Sequence, residues 1–250
     1  MTSLAGAAAI VTGAASGMGR ATALHAALEG AAVVCVDVVA SDAVVEEIER
    51  TGGTAVAVAG DVRDPATWGR ATGLALERFG RIDLLANVAG ISPGPGEDTI
   101  VDQTEEGWQR VLDINLTAAW LGMRAVLPAM VEQRAGRIVN VASVAAVVGL
   151  PMLAAYTASK AGLAGLTRQA AVDYGRFGIR VNAVAPGDID TPMSAGNAPE
   201  VKEALLRRNP ARRQGLAEEV AWVIVFLAGP GADFVNGQLL PVDGGWSIKG

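Results

Sequence analysis

Seven short apolar runs recur along the chain, AAAIVT, AAVVCVDV, TAVAVAG, IDLLANVAG, GRIVNVAS, GIRVNAVAP and GQLLPVDGG, with longer stretches of helical spacing between them. Runs of this length, rich in Val and Ile and bounded by Gly, Asp and Pro, read as β-strands. Several are apolar on successive residues, so neither face of the strand can meet water. A parallel sheet covered by helices on both faces satisfies that demand, and alternating strands and helices supply it. The expected fold class is α/β, a doubly wound, seven-stranded parallel sheet with helices on both faces, in one domain spanning 1–250. Helices are expected near 18–29, 40–51, 65–79, 104–131, 153–177 and 216–227. The stretches 91–100 and 187–210 read as loops over a ligand edge, the second as a substrate-binding lid.

Composition narrows the function. With 51% hydrophobic residues, 250 residues can bury a substantial core, and 31 glycines without a collagen-like period point to tight turns and close backbone approaches. Net charge is −6, and the first 125 residues hold 8 basic against 16 acidic side chains, so nucleic acid is not an expected partner. The one dense basic cluster, RRNPARR at 207–213, could meet an acidic substrate or lie solvated. A single cysteine, Cys35, allows no internal disulfide and suits the cytoplasm. The Ala-rich start lacks a basic segment and reads as strand plus glycine turn, not as a leader. The uncharged run 138–159 has the length of a membrane span, but Asn140, Gly149 and Pro151 divide it into strand, loop and helix start, so no membrane is expected.

TGAASGMG, from Thr12 to Gly19, ends the first strand and opens the first helix. Glycines there let backbone approach a pyrophosphate, and the free N–H groups of a helix start bind it. The turn offers Gly13, Ser16, Gly17, Met18 and Gly19 to such a group, and the arrangement is that of a Rossmann fold. Glycines alone would equally serve a tight turn. Asp37 adds to them: it ends the second strand 24 residues after Gly13, where an acid hydrogen-bonds a ribose 2′-hydroxyl. Its charge would repel a 2′-phosphate, and 38–42 holds no Lys or Arg, so the expected cofactor is NAD in preference to NADP.

AAYTASKAG sets Tyr156 and Lys160 four residues apart, in a chain with two tyrosines and three lysines against seventeen arginines. Residues i and i+4 share a helix face. A phenol with a pKa near 10 is a poor base at neutral pH, and lowering it to about 7 takes roughly 4 kcal/mol, within reach of a neighbouring ammonium. Ser143 ends the strand RIVNVAS, where its hydroxyl could hold a substrate oxygen. Asn115, in LDINLT, sits inside a long helix, where its side chain competes with the backbone. Singly, each has a plain explanation: a satisfied buried phenol, a surface charge, a turn residue. Together, behind a dinucleotide turn, they favour catalysis. His25 is the sole histidine, on the first helix away from Ser143, so neither a Ser/His/Asp hydrolase nor a zinc site is expected.

These motifs make the chain similar to the short-chain dehydrogenases/reductases, over essentially its whole length. The resemblance rests on TGAASGMG, Asp61 with Val62, NVAG at 87–90, Asn115, Ser143, YTASK, PGDIDT at 186–191 and the ending LPVDGG. It implies that Asn87, Ala89 and Gly90 line the nicotinamide-ribose side, and that Asp61 and Val62 meet the adenine. It further implies that Pro186, Gly187, Ile189 and Thr191 lie at the nicotinamide end, with Ile189 and Thr191 on the carboxamide. Asn115, Ser143, Tyr156 and Lys160 become the catalytic set, with Asn115 holding a water that relays protons past the lysine. Lys160 also holds the ribose. Two departures are visible: Val88 replaces a usual asparagine, and Asp188 sets an acid beside the nicotinamide end.

The leading expectation is an NAD-dependent oxidoreductase that interconverts a secondary alcohol and a ketone, with Tyr156 as general acid/base. Its alternatives are a 3-oxoacyl-carrier ketoreductase and a non-catalytic NAD-binding module. The loop residues suggest an uncharged substrate of modest size. The resemblance also implies a homotetramer, for which Trp108, Trp120 and Trp246 are candidate anchors.

Overall fold

The computed structural model describes residues 4–93, 99–196 and 198–248. Within the loop 91–100, residues 94–98 lie outside that description. Seven strands form one sheet: β1 (Ala8–Thr12), β2 (Ala32–Asp37), β3 (Thr54–Ala59), β4 (Leu84–Asn87), β5 (Gly136–Val141), β6 (Ile179–Pro186) and β9 (Leu239–Val242). Their order is β3-β2-β1-β4-β5-β6-β9, with every pairing parallel. β1 is the switch point, with Val11 opposite Cys35 on one side and Ala86 on the other. Chain order reverses there, and the crevice beyond the carboxyl ends of β1 and β4 is where such sheets bind ligands.

Successive strand residues enter opposite layers, as the pleat requires. Ala9 and Val11 pack with α1 (Gly17–Leu28) and with Val220, Ile224 and Leu227 of α9 (Ala217–Ala228). Ile10 packs instead with Trp68, Ala71 and Ala75 of α3 (Pro65–Phe79) and with Met123, Val126 and Leu127 of α5 (Ala118–Gln133). The central strands β1, β2, β4, β5 and β6 are thereby nearly dry on both faces, which is why they are apolar along most of their length, whereas the edge strands β3 and β9 are partly exposed. α2 (Asp42–Arg50) closes the first layer through Val44 and Ile48. α3 shows how local chemistry sets an element's ends. Asp64 caps it by accepting from Ala66 N at 2.9 Å, Pro65 occupies the first turn, and Gly80 at φ +74° ends it.

Two expectations change. The helix expected over 104–131 is α4 (Glu105–Leu112) and α5 joined by a π-helical turn, Asp113–Thr117. One extra residue in the ladder is invisible to apolar spacing. The described residues of the segment 187–210 include regular elements: β7 (Ile189–Asp190) pairs with β8 (Gly215–Leu216), and α7 (Pro192–Ala195) and α8 (Pro199–Arg208) lie between them. Each of these helices starts on a proline, a residue that reads as a loop signal yet suits a first helical turn. The run 138–159 divides as expected into β5, a 3-10 turn at Val144–Ala146 and the start of α6 (Ala154–Tyr174). The stretch Glu105–Gln133 is long and apolar enough to cross a membrane by composition, but Met123, Val126 and Met130 are buried within the fold.

Candidate active site

The glycine turn is built by close contact. Gly13 adopts φ +68°, and a Cβ there would come within 3.1 Å of the Ala89 backbone. A Cβ on Gly19 would lie 1.9 Å from Gly13 O, so α1 can press onto β1 only with glycine at that position. Thr12 ties this turn to the next, its hydroxyl accepting from Val88 N and Ala89 N, both at 3.0 Å. Ser16 precedes α1 without capping it through its side chain, which leaves the first-turn N–H groups to a ligand. The result is a cleft of about 430 Å³ bordered by Gly13, Ser16, Gly17, Met18 and Gly19 on one side, and by Ala89, Gly90 and Thr191 on the other.

Asp37, Asp61 and Val62 form the far end of this cleft. The carboxylate of Asp37 accepts from Ala15 N at 2.9 Å and Val39 N at 3.0 Å, so it braces the glycine turn while facing the cleft. It caps no helix: α2 begins after Ser41. Arg63 borders the same space, although it lies far from Asp37 in the sequence. Its guanidinium grips Asp61, with contacts of 2.6 to 3.1 Å, and holds that carboxyl below the usual range. Arg110, Ile114 and Met193 also border the cleft, and their distance from any glycine motif hid them.

A second cleft of about 190 Å³ adjoins the first through shared Met18, Thr191 and Met193. Ser143, Tyr156, Pro186, Gly187, Asp188 and Ile189 border it. Ser143 caps the turn after β5, its Oγ accepting from Ala145 N at 3.1 Å, and it is hydrogen-bonded to the Tyr156 phenol. Burial pushes the Tyr156 pKa up and the Ser143 bond eases it down. Lys160 Nζ lies 5.6 Å from the Tyr156 ring centroid and donates to Val141 O at 2.8 Å. Burial lowers the Lys160 pKa to about 8. The shared helix face is as expected, and burial is the larger of the two influences on the phenol.

Asn115 lies at the centre of the π-helical turn, buried. It accepts from Ile91 N at 2.8 Å and donates to Ile91 O at 2.9 Å and to Ser159 Oγ at 3.2 Å. A Cβ on Gly90 would stand 3.1 Å from Asn115 Oδ1 and 3.3 Å from Lys160 Nζ, so both side chains sit directly behind the NVAG turn. Asn87 borders neither cleft; it donates to Asn140 Oδ1 at 2.8 Å, and Asn140 donates to Thr167 Oγ1 on α6 at 2.9 Å. Its side chain is held in this buried network. Asp188 accepts from Gln214 Nε2 at 3.1 Å, its second oxygen has no partner among the described residues, and burial raises its pKa. His25 packs on Trp222, with ring centroids 6.3 Å apart, outside both clefts.

A family model described as enoyl-(acyl carrier protein) reductase matches residues 13–247. The 3-oxoacyl-[acyl-carrier-protein] reductase of Synechocystis sp. is 43% identical over 251 residues, which is 98% of each chain. The chain belongs to the short-chain dehydrogenase/reductase family. As a family member it is an oxidoreductase built around a nicotinamide cofactor, and the glycine cradle above fits such a group. Its relatives differ in substrate. Cyclohexanol dehydrogenase of Acinetobacter sp. is 41% identical, across 96% of this chain and 95% of its own. A crystal structure of a candidate 2-deoxy-D-gluconate 3-dehydrogenase from Agrobacterium tumefaciens, with bound NADP, matches at TM-score 0.87 and 37% identity, across 99% of this chain and 98% of that one.

Proposed function

We propose that the protein is an NAD-dependent oxidoreductase that interconverts a secondary alcohol and a ketone. The observation that carries this reading is the hydrogen-bonded Ser143 and Tyr156 pair, set in a cleft that opens into the dinucleotide-sized one. A bound nicotinamide dinucleotide supplies the hydride chemistry. Tyr156 Oη takes the carbinol proton in oxidation and returns it in reduction, and Ser143 Oγ–H steadies the substrate oxygen. Lys160 opposes the effect of burial on the phenol. Its ammonium stands 5.6 Å from the centre of the phenol ring, and a nearby positive charge favours the phenolate. With a pKa of about 8 it carries that charge at neutral pH. Asn115 fixes the Ile91 backbone and, with Lys160, stands behind Gly90; we assign it the water that relays protons past the lysine.

Gly13, Ser16, Gly17, Met18 and Gly19 receive the pyrophosphate, Asp61 and Val62 the adenine, and Ala89 and Gly90 the ribose next to nicotinamide. Pro186, Gly187, Ile189 and Thr191 flank the nicotinamide end, and Asn87 supports this set from behind. Asp37 favours NAD, since its carboxylate faces the cleft and the nearby Arg63 is already paired with Asp61. The segment 187–210 serves as a lid through Met193 and Leu205. The working place we assign is the cytoplasm, and the substrate is uncharged where it meets Tyr156.

Tyr156→Phe should lower kcat for oxidation of secondary alcohols by NAD 10²- to 10⁴-fold while NADH still binds. Full activity in that variant would remove Tyr156 from the chemistry. NADH binding without turnover of any alcohol or ketone by the unaltered protein would favour the binding-module reading. A 3-oxoacyl-carrier ketoreductase is the second reading, favoured by the Synechocystis relative. Apparent affinities for NADH and NADPH bear on both. NADH should bind at least tenfold tighter, and Asp37→Ala should erase the difference; a clear NADPH preference would overturn the NAD assignment.

A further inference from the structure

Leu150 and Trp246 are walls of the cleft at Tyr156. Both residues also border an outer chamber of about 400 Å³, whose other walls are Val148, Gly149, Arg207, Arg208 and Ser247. Among the described residues, its only charged lining is therefore the two arginines that end α8, with no Asp or Glu in its walls. Arg207 is committed to Glu203 one turn back, at 2.5 Å. Arg213, in the same basic cluster, is committed to Glu219. Arg208 makes no hydrogen bond or ion pair among the described residues. A cation in a last helical turn complements the helix dipole, which explains its position along α8. That does not explain why the unpaired guanidinium borders a chamber that shares two walls with the site of reaction.

The inner end offers an anion no partner: among the described residues, the walls of the Tyr156 cleft hold no Lys or Arg, and Asp188 is their one charged residue type. A substrate with one anionic group is thus oriented by the two ends: its anion finds no cation in the inner cleft and is drawn to the outer chamber, with Leu150 and Trp246 between them. On this arrangement, and resting on the oxidoreductase reading above, we propose that the substrate bears an anionic group remote from its reacting carbon and that Arg208 binds it. This replaces the expectation of a wholly uncharged substrate; only the reacting end is uncharged. A carboxylate and a phosphate share the required chemistry.

The test compares kcat/KM for matched pairs, with NADH and with NADPH. One arm uses 2-ketones of six to ten carbons against the ω-carboxylates of the same chains. The other uses the acetoacetyl thioester of N-acetylcysteamine against that of 4′-phosphopantetheine. The anionic member of at least one arm should be preferred about tenfold or more, as a charge-assisted hydrogen bond of this kind provides. The preference should peak at one chain length or belong to the phosphate arm alone, which names the anion. It should weaken with salt. Arg208→Gln should bring the ratio near one through KM, whereas Arg212→Gln, from the same cluster but bordering neither chamber, should leave it. A ratio near one in both arms of the unaltered protein, or a ratio that Arg208→Gln does not move, would overturn the anion subsite. Inert pairs throughout, neutral members included, would overturn the oxidoreductase reading and the subsite with it.

Discussion

Lys160 keeps an ammonium in a nearly water-free place, with one hydrogen bond to Val141 O and a ring 5.6 Å away. Burial lowers its pKa from 10.5 to about 8, so below pH 8 the folded state carries the full cost, roughly 3 kcal/mol at 1.36 kcal/mol per unit. Between pH 8 and 10.5 the unfolded chain binds more protons than the folded one, and stability rises with pH. Cys35 acts in the opposite sense. Its buried thiol is pushed up from 9.0 to about 12, so above pH 9 the unfolded chain releases a proton that the folded one keeps, and stability falls. The two slopes cancel from pH 9 to 10.5. The urea midpoint should therefore reflect a gain of about 1.4 kcal/mol between pH 8 and 9, then a plateau. Lys160→Met should be more stable at pH 7, by about 1–3 kcal/mol once the lost Val141 bond is counted, and should show no rise from pH 8 to 9. A rise that persists in Lys160→Met would mean that another group titrates there.

The π-helical turn at Asp113–Thr117 is the element on which the site's geometry depends, because it brings Asn115 round to the Ile91 backbone. Asn115→Leu is close in size but leaves Ile91 N–H and C=O without these partners. At about 1–3 kcal/mol for a buried unpaired group, it should cost about 2–4 kcal/mol by urea denaturation. It should also raise KM for cofactor, since Gly90 stands between Asn115 and the cleft. A loss below 1 kcal/mol would show that the turn holds itself. What the sequence made legible follows from the kind of signal each element carries. Strands of continuous apolar residues, the span of α3 over 65–79 and the Tyr156–Lys160 spacing are local signals, and each is where it was expected. The extra residue of the π turn leaves apolar spacing almost unchanged. α8 is polar on most sides and starts on proline, so it passed for loop. Arg63 lies two positions after Asp61, yet only the fold brings it to the space that Asp37 faces. The Asn87–Asn140–Thr167 network joins three elements far apart in sequence, and nothing local announces it.

At the scale of the whole molecule, the surface is less finished than the core. α4, α5 and α6 leave Trp108, Trp120 and Val172 exposed, at 39%, 41% and 77%. A second apolar set lies on α9 and the edge strand β9, with Trp222, Phe226 and Leu240 exposed, and Phe234 nearby in sequence fully so. β9 is paired on one side only, and an open sheet edge invites a partner. Trp246, by contrast, is buried and shared by two chambers, so it belongs to the site and not to an interface. Two distinct apolar faces on one chain suit two different two-fold contacts, and two such axes close a tetramer of dihedral symmetry. We expect sedimentation equilibrium to give four chains per particle. Trp120→Glu with Val172→Glu should halve that mass and leave dimers held by the β9 face, whereas Phe226→Glu with Leu240→Glu should leave dimers held by the helical face. All four substitutions together should give monomers. An unchanged mass in the first variant would take α5 and α6 out of the assembly, and a monomeric unaltered protein would leave both faces without the partner proposed for them.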